Sequence, residues 1–315
     1  MIDRYGRNID YVRFSVTDLC NMRCLYCMPE EGTRKLEHDE ILSVEAIEEI
    51  VIALSELGIK KVRLTGGEPL VRKGILEIVR RVAKVPGITE VALTTNGTLL
   101  KDFAVSLKEA GLTRVNISVD AFDPDTYREI TRGGDLNAVM DGIRAAVDAG
   151  LTPIKLNAVL IGGLNDGLIR PLIALTEEAD FRVRFIEIMP IGECASWNRE
   201  RFVSISKVLE EEPSLEHIGT DGVSNLFRKP GSKGSVGLIS PISNHFCPTC
   251  NKLRVTADGK LKPCLHSGEE IDLRGLQGAE LTDAIREAIL SKPLKHELAR
   301  EIVSRSRRGM SAIGG

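Results

Sequence analysis

The sequence has little net charge and no long hydrophobic run. Its 42 lysines and arginines are nearly balanced by 45 aspartates and glutamates, which gives a formal net charge of -3. This balance gives no bulk electrostatic reason to expect a nucleic acid or an acidic membrane as a partner. No apolar run approaches the length of a membrane-spanning helix, and the residues after Met1 contain no apolar signal core. We therefore expect a cytoplasmic protein in which any anion binding is local.

A fourth cysteine is missing from each of two cysteine clusters. In a reducing compartment such clusters indicate metal binding or catalysis rather than disulfides. Because an iron-sulfur cluster normally takes four cysteine ligands, a triplet can leave one iron open to bind another molecule. The seventh cysteine, Cys194, stands alone, and a lone cysteine is most often a small buried hydrophobe. The two triplets are Cys20, Cys24 and Cys27, and Cys247, Cys250 and Cys264.

Zinc is the alternative to iron at both triplets. It prefers four protein ligands in paired CxxC or Cys/His arrangements. The first triplet has a CxxxCxxC spacing and no histidine nearer than His38, which disfavours zinc there. The second begins with CxxC, the usual zinc half-site, and His245 or His266 could supply a fourth ligand. A predicted hairpin around Asp258-Gly259 would bring Cys264 back to the CxxC pair, so spacing alone leaves zinc and a second iron-sulfur cluster both open.

Strand-like and helix-like segments alternate along the first two thirds of the chain. The strand-like runs are rich in β-branched residues, and the segments between them carry apolar residues at helical spacing. Six strand-helix units in this order predict a parallel sheet with right-handed crossovers, either an open sheet or a barrel. Further along, a Gly/Ser/Lys-rich stretch from Lys229 to Gly237 predicts a surface loop. The predicted strands are Val12 to Thr17, Lys61 to Thr65, Glu90 to Thr95, Arg114 to Val119, Pro153 to Ile161 and Arg182 to Ile188.

One face of these strands is polar where a packed barrel would be apolar. Eight-stranded barrels fill their inward positions with Val, Ile and Leu. A polar face suits a wide or incomplete barrel whose lumen holds a charged ligand. Four of its residues are basic (Arg13, Arg63, Lys155 and Arg184), and acidic partners for all four are not evident on the same face, so we expect a phosphate-bearing substrate. The face also carries Ser15, Thr17, Thr65, Thr94, Asn96, Asn116, Ser118, Asp120 and Asn157.

The loops at the strand ends resemble those of a known family. The segment Gly66-Gly67-Glu68-Pro69 follows the second strand, at the carboxyl edge where parallel α/β folds bind ligands. A CxxxCxxC loop after the first strand, GGEP after the second and polar ends on the next strands resemble the radical S-adenosylmethionine (SAM) enzymes. The resemblance implies an incomplete (βα)6 barrel in which Cys20, Cys24 and Cys27 ligate a [4Fe-4S] cluster. Its open iron would bind SAM, which is cleaved to methionine and a 5′-deoxyadenosyl radical.

The same resemblance assigns the SAM contacts. Core packing is an equally good interpretation for the Tyr26 and Met189 side chains. The positions that match the family's SAM contacts are Tyr26, Gly66, Gly67, Glu68, Ser118 and Met189.

The second triplet points to a resemblance with one particular family of radical SAM enzymes. The two triplets, the run from Thr256 to Cys264 and the final Gly314-Gly315 resemble the GTP 3′,8-cyclases, radical SAM enzymes of molybdenum-cofactor biosynthesis. This implies a second [4Fe-4S] cluster on the second triplet, and a tail whose two glycines enter the active site and are required for cyclisation. Without the resemblance, the glycines would be interpreted as a frayed terminus.

The implied reaction cyclises GTP to (8S)-3′,8-cyclo-7,8-dihydroguanosine 5′-triphosphate, the first step of that pathway. The implied partners are a downstream cyclic pyranopterin monophosphate synthase and an electron donor, and a homodimer stays open. One departure stands out, because the family often has Arg where this chain has Lys252, so a bidentate contact becomes a single-point charge. The implied GTP-binding residues are Arg13, Lys61, Arg63, Thr94, Lys155, Arg184, Lys252 and Arg254.

The domain organisation follows from the same resemblance. We expect a radical SAM partial barrel over residues 1–228 and a C-terminal cluster and substrate-binding region, with the Gly-Gly tail, over residues 229–315. Two other functions compete. Radical SAM peptide maturases hold auxiliary clusters, typically on more C-terminal cysteines than the three present here. A non-enzymatic zinc protein would leave the GGEP segment and the polar lumen unexplained.

Overall fold

Strands and helices alternate in the first part of the chain, as the sequence predicts. The computed structural model of the protein describes residues 1–197, 199–296 and 304–314. Each of the first six strands begins and ends no more than two residues from its predicted bounds. They are β1 (Tyr11–Ser15), β2 (Lys61–Thr65), β3 (Glu90–Thr95), β4 (Arg114–Ser118), β5 (Ile154–Leu160) and β6 (Phe181–Glu187).

Six helices lie between these strands. Short polar side chains cap several of them: Ser43 accepts a hydrogen bond from the Ala46 backbone N–H at 3.1 Å where the first helix begins. The buried side chains of that helix include Ile47, Ile50 and Leu54, whose spacing forms one apolar face toward the sheet. The helices are α1 (Val44–Glu56), α2 (Ile75–Lys84), α3 (Leu100–Glu109), α4 (Pro124–Thr131), α5 (Leu136–Asp148) and α6 (Ile169–Glu178).

The C-terminal part of the chain adds strands to both edges of the same sheet. These strands are β7 (Glu216–Asp221), β8 (Ser224–Arg228), β9 (Ser235–Ile239), β10 (Lys252–Val255), β11 (Lys260–Lys262) and β12 (Ile271–Asp272). Two further helices are α7 (Ser206–Glu211) and α8 (Gly278–Ser291). The strand order is β12-β11-β10-β1-β2-β3-β4-β5-β6-β9-β8-β7, and β1 to β6 are all parallel.

The sheet is open. Within the described ranges β1 and β6 do not pair with each other, because β10 lies parallel on the free edge of β1 and β9 lies parallel on the free edge of β6. An incomplete (βα)6 barrel with a C-terminal extension is therefore confirmed as the fold. The outward strand residues, such as Val12, Phe14 and Leu64, are fully buried and pack in one core with the helices.

The C-terminal segment contains one confirmed and one wrong sequence prediction. The hairpin around Asp258-Gly259 is present, since β10 and β11 pair antiparallel. The stretch from Lys229 to Gly237 is a loop only as far as Gly234, because Ser235 begins β9. A glycine at this position is typical of a loop. In the structure, a Cβ on Gly237 would lie 3.0 Å from Arg184 Cγ, so the absence of a side chain allows β9 to approach β6.

Two other expectations bear on the overall organisation. The expected domain boundary between residues 228 and 229 lies between the paired strands β8 and β9. The division into two domains stays a prediction. No helix in the described ranges is both long enough and apolar enough to span a membrane.

Candidate active site

The first cysteine triplet lies on a loop that follows β1 at the carboxyl edge of the sheet. The Leu25 backbone N–H donates to Ile130 O at 2.9 Å, and the Cys27 N–H donates to Cys24 O at 2.9 Å, so the loop is anchored and turned back on itself. All three thiols line one cavity. The same cavity is lined by all six predicted SAM-contact residues, and by Arg13 and Thr94 of the predicted GTP set.

The three thiols are close enough to affect one another's ionisation. Burial, followed by the charge of Cys27, raises the pKa of Cys24 well above its usual value. Burial and the charge of Cys20 raise the pKa of Cys27 to about 12. Three neighbouring thiols that resist ionisation need a cationic centre before they can become thiolates together. Iron supplies that charge, so the donor set fits the [4Fe-4S] cluster that the sequence predicts on Cys20, Cys24 and Cys27.

The GGEP segment packs directly against the cysteine loop. The Gly67 N–H donates to Thr17 O at 2.8 Å, and the Glu68 N–H donates to Leu19 O at 2.7 Å. A Cβ on Gly66 would lie 2.6 Å from Thr17 O, and one on Gly67 would overlap the Leu19 carbonyl. The two glycines are therefore required for the close approach of these loops, apart from any contact with SAM.

Glu68 is buried and accepts several hydrogen bonds. Thr95 Oγ1 donates to it at 2.7 Å, the Asn96 N–H at 2.7 Å and the Leu70 N–H at 3.0 Å. Burial raises the pKa of Glu68 to about 7, although these hydrogen bonds oppose the shift. The carboxyl group thus joins the ends of β2 and β3, and its predicted contact with SAM stays a prediction.

Asp120 also lines this cavity, although no individual role was predicted for it. Tyr26 Oη donates to Asp120 Oδ2 at 2.8 Å, and the Val159 N–H donates to Oδ1 at 2.8 Å. Burial raises the pKa of Asp120 to about 6. The sequence feature that could have identified Asp120 is its position at the end of β4, on the polar face. Ser118 and Met189 line the cavity beside it, as expected from their positions.

Basic residues continue the polar face away from the cysteine loop. Arg13, Arg63 and Arg254 occupy matching positions on the adjacent strands β1, β2 and β10. One pleat earlier, Tyr11 lies between Lys61 and Lys252 in register, and its ring is 5.4 Å from the Arg63 guanidinium and 5.5 Å from Lys252 Nζ. The predicted GTP-binding residues on these strands therefore lie side by side. Those buried on the polar face are Arg63, Lys155, Arg184 and Arg254.

These buried and half-buried cations destabilise one another. Burial is the largest cause of the lowered pKa of each cation, and the neighbouring positive charges lower the pKa further. The pKa of Arg13 is lowered well below its usual value by burial and by Arg254, and that of Arg184 is lowered to about 10 by burial, against the attraction of Asp221. Burial lowers the pKa of Lys252 to about 8 and that of Lys155 to about 7. A site of this kind favours an anionic ligand.

Several buried polar atoms on this face have no hydrogen-bond partner. A buried donor or acceptor without a partner costs about 1–3 kcal/mol, so native proteins keep few of them outside binding sites. The unpartnered atoms along the polar strand face include Arg63 Nε, Arg184 Nε, Thr94 Oγ1, Asn116 Nδ2 and Asn157 Oδ1. This concentration indicates that a polar ligand completes the site.

Asp221 is the acidic partner that the sequence did not reveal. It ends β7 and contacts Lys155 Nζ, Arg184 Nη2 at 2.7 Å and Arg182 Nη1 at 3.3 Å, all through Oδ2. On β3 the polar face carries Glu90, which pairs with Arg114 on β4. The expectation that acidic partners are lacking is wrong for Lys155 and Arg184, because Asp221 pairs with both. It misses this carboxylate because the partner comes from an edge hairpin that local periodicity does not connect to the sheet.

The second triplet lies at the opposite end of the lumen from the first. Cys250 precedes β10, Cys20 follows β1, and the two strands are parallel neighbours. The strand segment between them, Tyr11 to Ser15, spans roughly 13 Å at 3.3 Å per residue. The basic residues of the polar face therefore lie between the two triplets.

The second triplet has its own electrostatic environment. Burial and the charges of Cys264 and Cys250 raise the pKa of Cys247, opposed by the His296 backbone N–H. The charges of Lys292 and Lys252 lower the pKa of Cys250 although burial acts in the other direction. Arg7 Nη1 donates to Cys247 O at 3.0 Å and so ties the N-terminal segment to this loop.

The geometry gives no support to zinc at the second triplet. His245 Nδ1 donates to Pro241 O at 2.9 Å, and the His245 and His266 rings each pack edge-on against His296 at 4.6 Å. Over residues 1–197, 199–296 and 304–314, which include both triplets, no three His, Cys, Asp or Glu side chains are grouped to hold a single metal ion.

The C-terminal tail enters the lumen. Arg254 Nη1 donates to Gly314 O at 2.6 Å and to Ile313 O at 3.1 Å, and Arg13 Nε donates to Gly314 O at 3.0 Å. Gly314 has a φ of +69°, and a Cβ there would overlap Thr65 Oγ1. The frayed-terminus alternative therefore fails for Gly314, whereas Gly315 lies outside the described residues.

Comparisons with known proteins agree with this geometry. Residues 14–175 match the Radical SAM superfamily, and residues 181–298 match Molybdenum Cofactor Synthesis C. A GTP 3′,8-cyclase from Alkaliphilus oremlandii (strain OhILAs) is 52% identical over 320 residues, which cover 100% of both chains. Another, from Peptoclostridium acidaminophilum, is 50% identical and covers 100% of this chain and 98% of its own.

Solved structures show the same fold. SuiB from Streptococcus suis superposes with a TM-score of 0.64 at 14% identity, over 91% of this chain and 67% of its own. Methylornithine synthase (PylB) has a TM-score of 0.52 at 18% identity, over 65% of this chain and 62% of its own. At such identities the likeness extends to the fold alone.

Proposed function

The chain belongs to the GTP 3′,8-cyclase family of radical SAM enzymes, and on this premise we propose that it cyclises GTP to (8S)-3′,8-cyclo-7,8-dihydroguanosine 5′-triphosphate. Its family uses a [4Fe-4S] cluster and SAM. The observation that carries the proposal is the lumen itself. A row of mutually repelling cations, with unpartnered polar atoms among them, lies between two cysteine triplets.

The first triplet and the cavity around it would hold the radical-generating group. Cys20, Cys24 and Cys27 would bind the cluster, and the thiols' raised pKa values are offset once iron replaces their protons. When bound, the reduced cluster and SAM would supply the radical chemistry that removes a hydrogen atom from the ribose 3′ carbon, so that this carbon could bond to guanine C8; one electron from the electron donor and one proton would then complete the product. The residues that would position SAM are Tyr26, Gly66, Gly67, Glu68, Ser118 and Met189.

The second triplet and the cations would hold GTP. Cys247, Cys250 and Cys264 would bind a second [4Fe-4S] cluster that meets the guanine base. The basic residues would neutralise the triphosphate, which relieves their mutual repulsion and uses the free Arg63 and Arg184 Nε donors. The GTP-binding set would be Arg13, Lys61, Arg63, Thr94, Lys155, Arg184, Lys252 and Arg254.

Lys252 and the C-terminal tail complete this proposed site. Lys252 stands where the family often has Arg, and its position 5.5 Å from the Tyr11 ring favours a point charge held over an aromatic face. Gly314 occupies the lumen next to Arg13 and Arg254, so the tail, together with Gly315, would complete the wall of the GTP site.

The proposed surroundings of the enzyme follow from the reaction. An electron donor must reduce the first cluster, and a cyclic pyranopterin monophosphate synthase would consume the product. We propose that the reaction takes place in the cytoplasm, a reducing compartment that suits cysteine-bound clusters. A homodimer is compatible with this proposal and is not required by it.

An anaerobic reconstitution tests the function. The full chain is loaded with iron and sulfide and then given dithionite, SAM and GTP. We expect about eight irons per chain, from two four-iron clusters, and 5′-deoxyadenosine whose formation depends on GTP. Stoichiometric zinc without SAM cleavage would support the zinc alternative. SAM cleavage that responds to a peptide and ignores GTP would support a peptide maturase.

Cysteine variants separate the two clusters. Cys264→Ala should reduce the iron content to about four per chain and abolish cyclised product, while the first site still cleaves SAM slowly. The matched control is Cys194→Ala, which removes a buried thiol that belongs to neither triplet. Equal loss of iron in both variants would contradict the assignment of Cys264 to a second cluster.

A further inference from the structure

We propose that Asp221 is the resident counter-anion of the polyphosphate subsite, neutralising Lys155, Arg182 and Arg184 until the phosphates of the nucleotide take its place. The inference rests on the proposed function, since it concerns the part of the lumen that would receive the triphosphate. It adds a residue outside the predicted GTP-binding set, and it assigns that residue a role in setting the affinity for the substrate.

The contacts of Asp221 are concentrated on a single oxygen. Lys155 Nζ, Arg184 Nη2 and Arg182 Nη1 all meet Oδ2, the last two at 2.7 and 3.3 Å. One carboxylate brings one negative charge to three cations, so two positive charges remain uncompensated. A polyphosphate carries more negative charge and more acceptor oxygens than a carboxylate, and it can therefore satisfy this cluster more fully.

Two unpartnered atoms next to Asp221 point to the same ligand. Arg184 Nε has no hydrogen-bond partner although the other end of its guanidinium contacts Asp221. Ser224, which is in register with Asp221 across the hairpin, is buried and its Oγ also has no partner. A Cβ on Gly237 would meet both Ser224 Oγ and Arg184 Cγ, so these two side chains pack against the same residue of β9. An incoming phosphate would find both donors free.

The position of Asp221 in the fold allows it to withdraw. It ends β7, an edge strand of the sheet, and within the described residues β7 pairs only with β8. The turn that follows contains Gly222 at a φ of +64°, and a Cβ there would meet nothing within 4 Å. The Asp221 side chain is 32% exposed, whereas those of Lys155 and Arg184 are 4% and 7% exposed. Lys155 and Arg184 are therefore held in the sheet, whereas Arg182, at 33% exposed, lies as near to solvent as Asp221. The carboxylate can withdraw toward solvent and leave the two buried cations in place.

The charges agree with this arrangement. The pKa of Asp221 lies well below its usual range: burial opposes the shift, and the positive charges of Lys155 and Arg184 outweigh it. Conversely, burial and the charges of Arg184 and Arg114 depress the pKa of Lys155 despite the attraction of Asp221. A single carboxylate stabilises the cluster without saturating it.

The test compares Asp221→Asn with the wild type, using the full chain reconstituted anaerobically with iron and sulfide. Inorganic tripolyphosphate, GTP and uncharged guanosine are titrated by calorimetry. If the carboxylate competes with phosphate, Asp221→Asn should bind tripolyphosphate and GTP about 2- to 5-fold more tightly, the worth of a partly exposed ion pair. Guanosine affinity should not change. The matched control is Glu216→Gln, which removes a charge from an exposed position at the other end of β7.

Two further readouts separate an exchangeable anion from a structural brace. Without ligand, Asp221→Asn should melt at a lower temperature than the wild type because three cations lose their partner, and tripolyphosphate should restore the difference. In the wild type, hydrogen exchange of residues 219–224 should become faster when tripolyphosphate binds. The second readout needs no variant and holds even if Asp221→Asn folds poorly.

The outcomes are distinguishable. Unchanged or weaker tripolyphosphate binding by a folded Asp221→Asn, or a hairpin that becomes more protected in the wild type, would overturn the counter-anion role and leave the GTP site intact. A fully iron-loaded wild type that binds neither tripolyphosphate nor GTP would overturn the proposed function and this inference together.

Discussion

Gly314→Ala is the most informative single change to the tail. Gly314 places its carbonyl between Arg13 and Arg254 and has a φ of +69°, a region that L-residues with a side chain avoid. The added methyl group would overlap Thr65 Oγ1. The variant therefore combines backbone strain with a steric clash, and both act on the docked tail rather than on the core.

The magnitude follows from these two costs. A left-handed conformation costs a residue with a Cβ about 1–2 kcal/mol, and overpacking a tight contact adds about 1–3 kcal/mol. Together they shift the docked tail toward the undocked state by about 2–5 kcal/mol, which is about 30-fold or more in the equilibrium. We expect GTP-dependent formation of cyclised product to fall at least about tenfold. The melting temperature should stay close to that of the wild type, because only the tail loses contacts.

The assay measures cyclised product and 5′-deoxyadenosine under single-turnover, anaerobic conditions. Gly309→Ala is the matched control, since Gly309 has a φ of -69° and a Cβ there would be 3.9 Å from the nearest atom, Cys27 O. Thr65→Ala in the Gly314→Ala background should recover the part of the loss that comes from the overlap and leave the part that comes from φ. Wild-type activity in Gly314→Ala, or an equal loss in Gly309→Ala, would refute the reasoning.

Three other predictions test the cation cluster and the second triplet. Arg184→Ala should weaken GTP binding about 10- to 100-fold by removing a charge-assisted hydrogen bond and leave SAM binding nearly unchanged; equal losses would mean that Arg184 is structural. Burial holds the pKa of Lys155 at about 7, so GTP binding at pH 8 should take up close to one proton and weaken as the pH rises above 7. Calorimetry in buffers of different ionisation enthalpy measures this uptake, which Lys155→Arg should abolish. Arg7→Ala should lower the free energy of unfolding by about 3–5 kcal/mol, because it leaves buried Asp3 without its cation and removes the donor to Cys247 O, and iron loading of the second triplet should fall with it; unchanged iron would contradict this link.

Much of the barrel could be predicted from the sequence because its signals are local. Period-two alternation on β1 places Arg13 and Ser15 on one face and Val12 and Phe14 on the other, and the structure confirms both faces. The loops that follow β1 and β2 were predicted to meet at one edge of the sheet. They do meet, because parallel strands end on the same side.

The pairing of strands that are far apart in the chain could not be predicted from local sequence patterns. Nothing in the run around Arg254 indicates that β10 would pair with β1 and set Arg254 beside Arg13. The edge hairpin that carries Asp221 was missed for the same reason, and β9 was hidden by its glycines. These features depend on which edges of the sheet remain free after β1 to β6 have paired, a property of the assembled sheet and not of any one segment.

The central claim is that a radical made at the first triplet takes hydrogen from GTP held by the second. Isotope transfer from GTP deuterated at the ribose 3′ carbon tests it most directly. After an anaerobic single turnover, the account predicts one deuterium in the 5′-deoxyadenosine and none in the cyclised product at that carbon. Unlabelled 5′-deoxyadenosine formed in step with GTP consumption would contradict it.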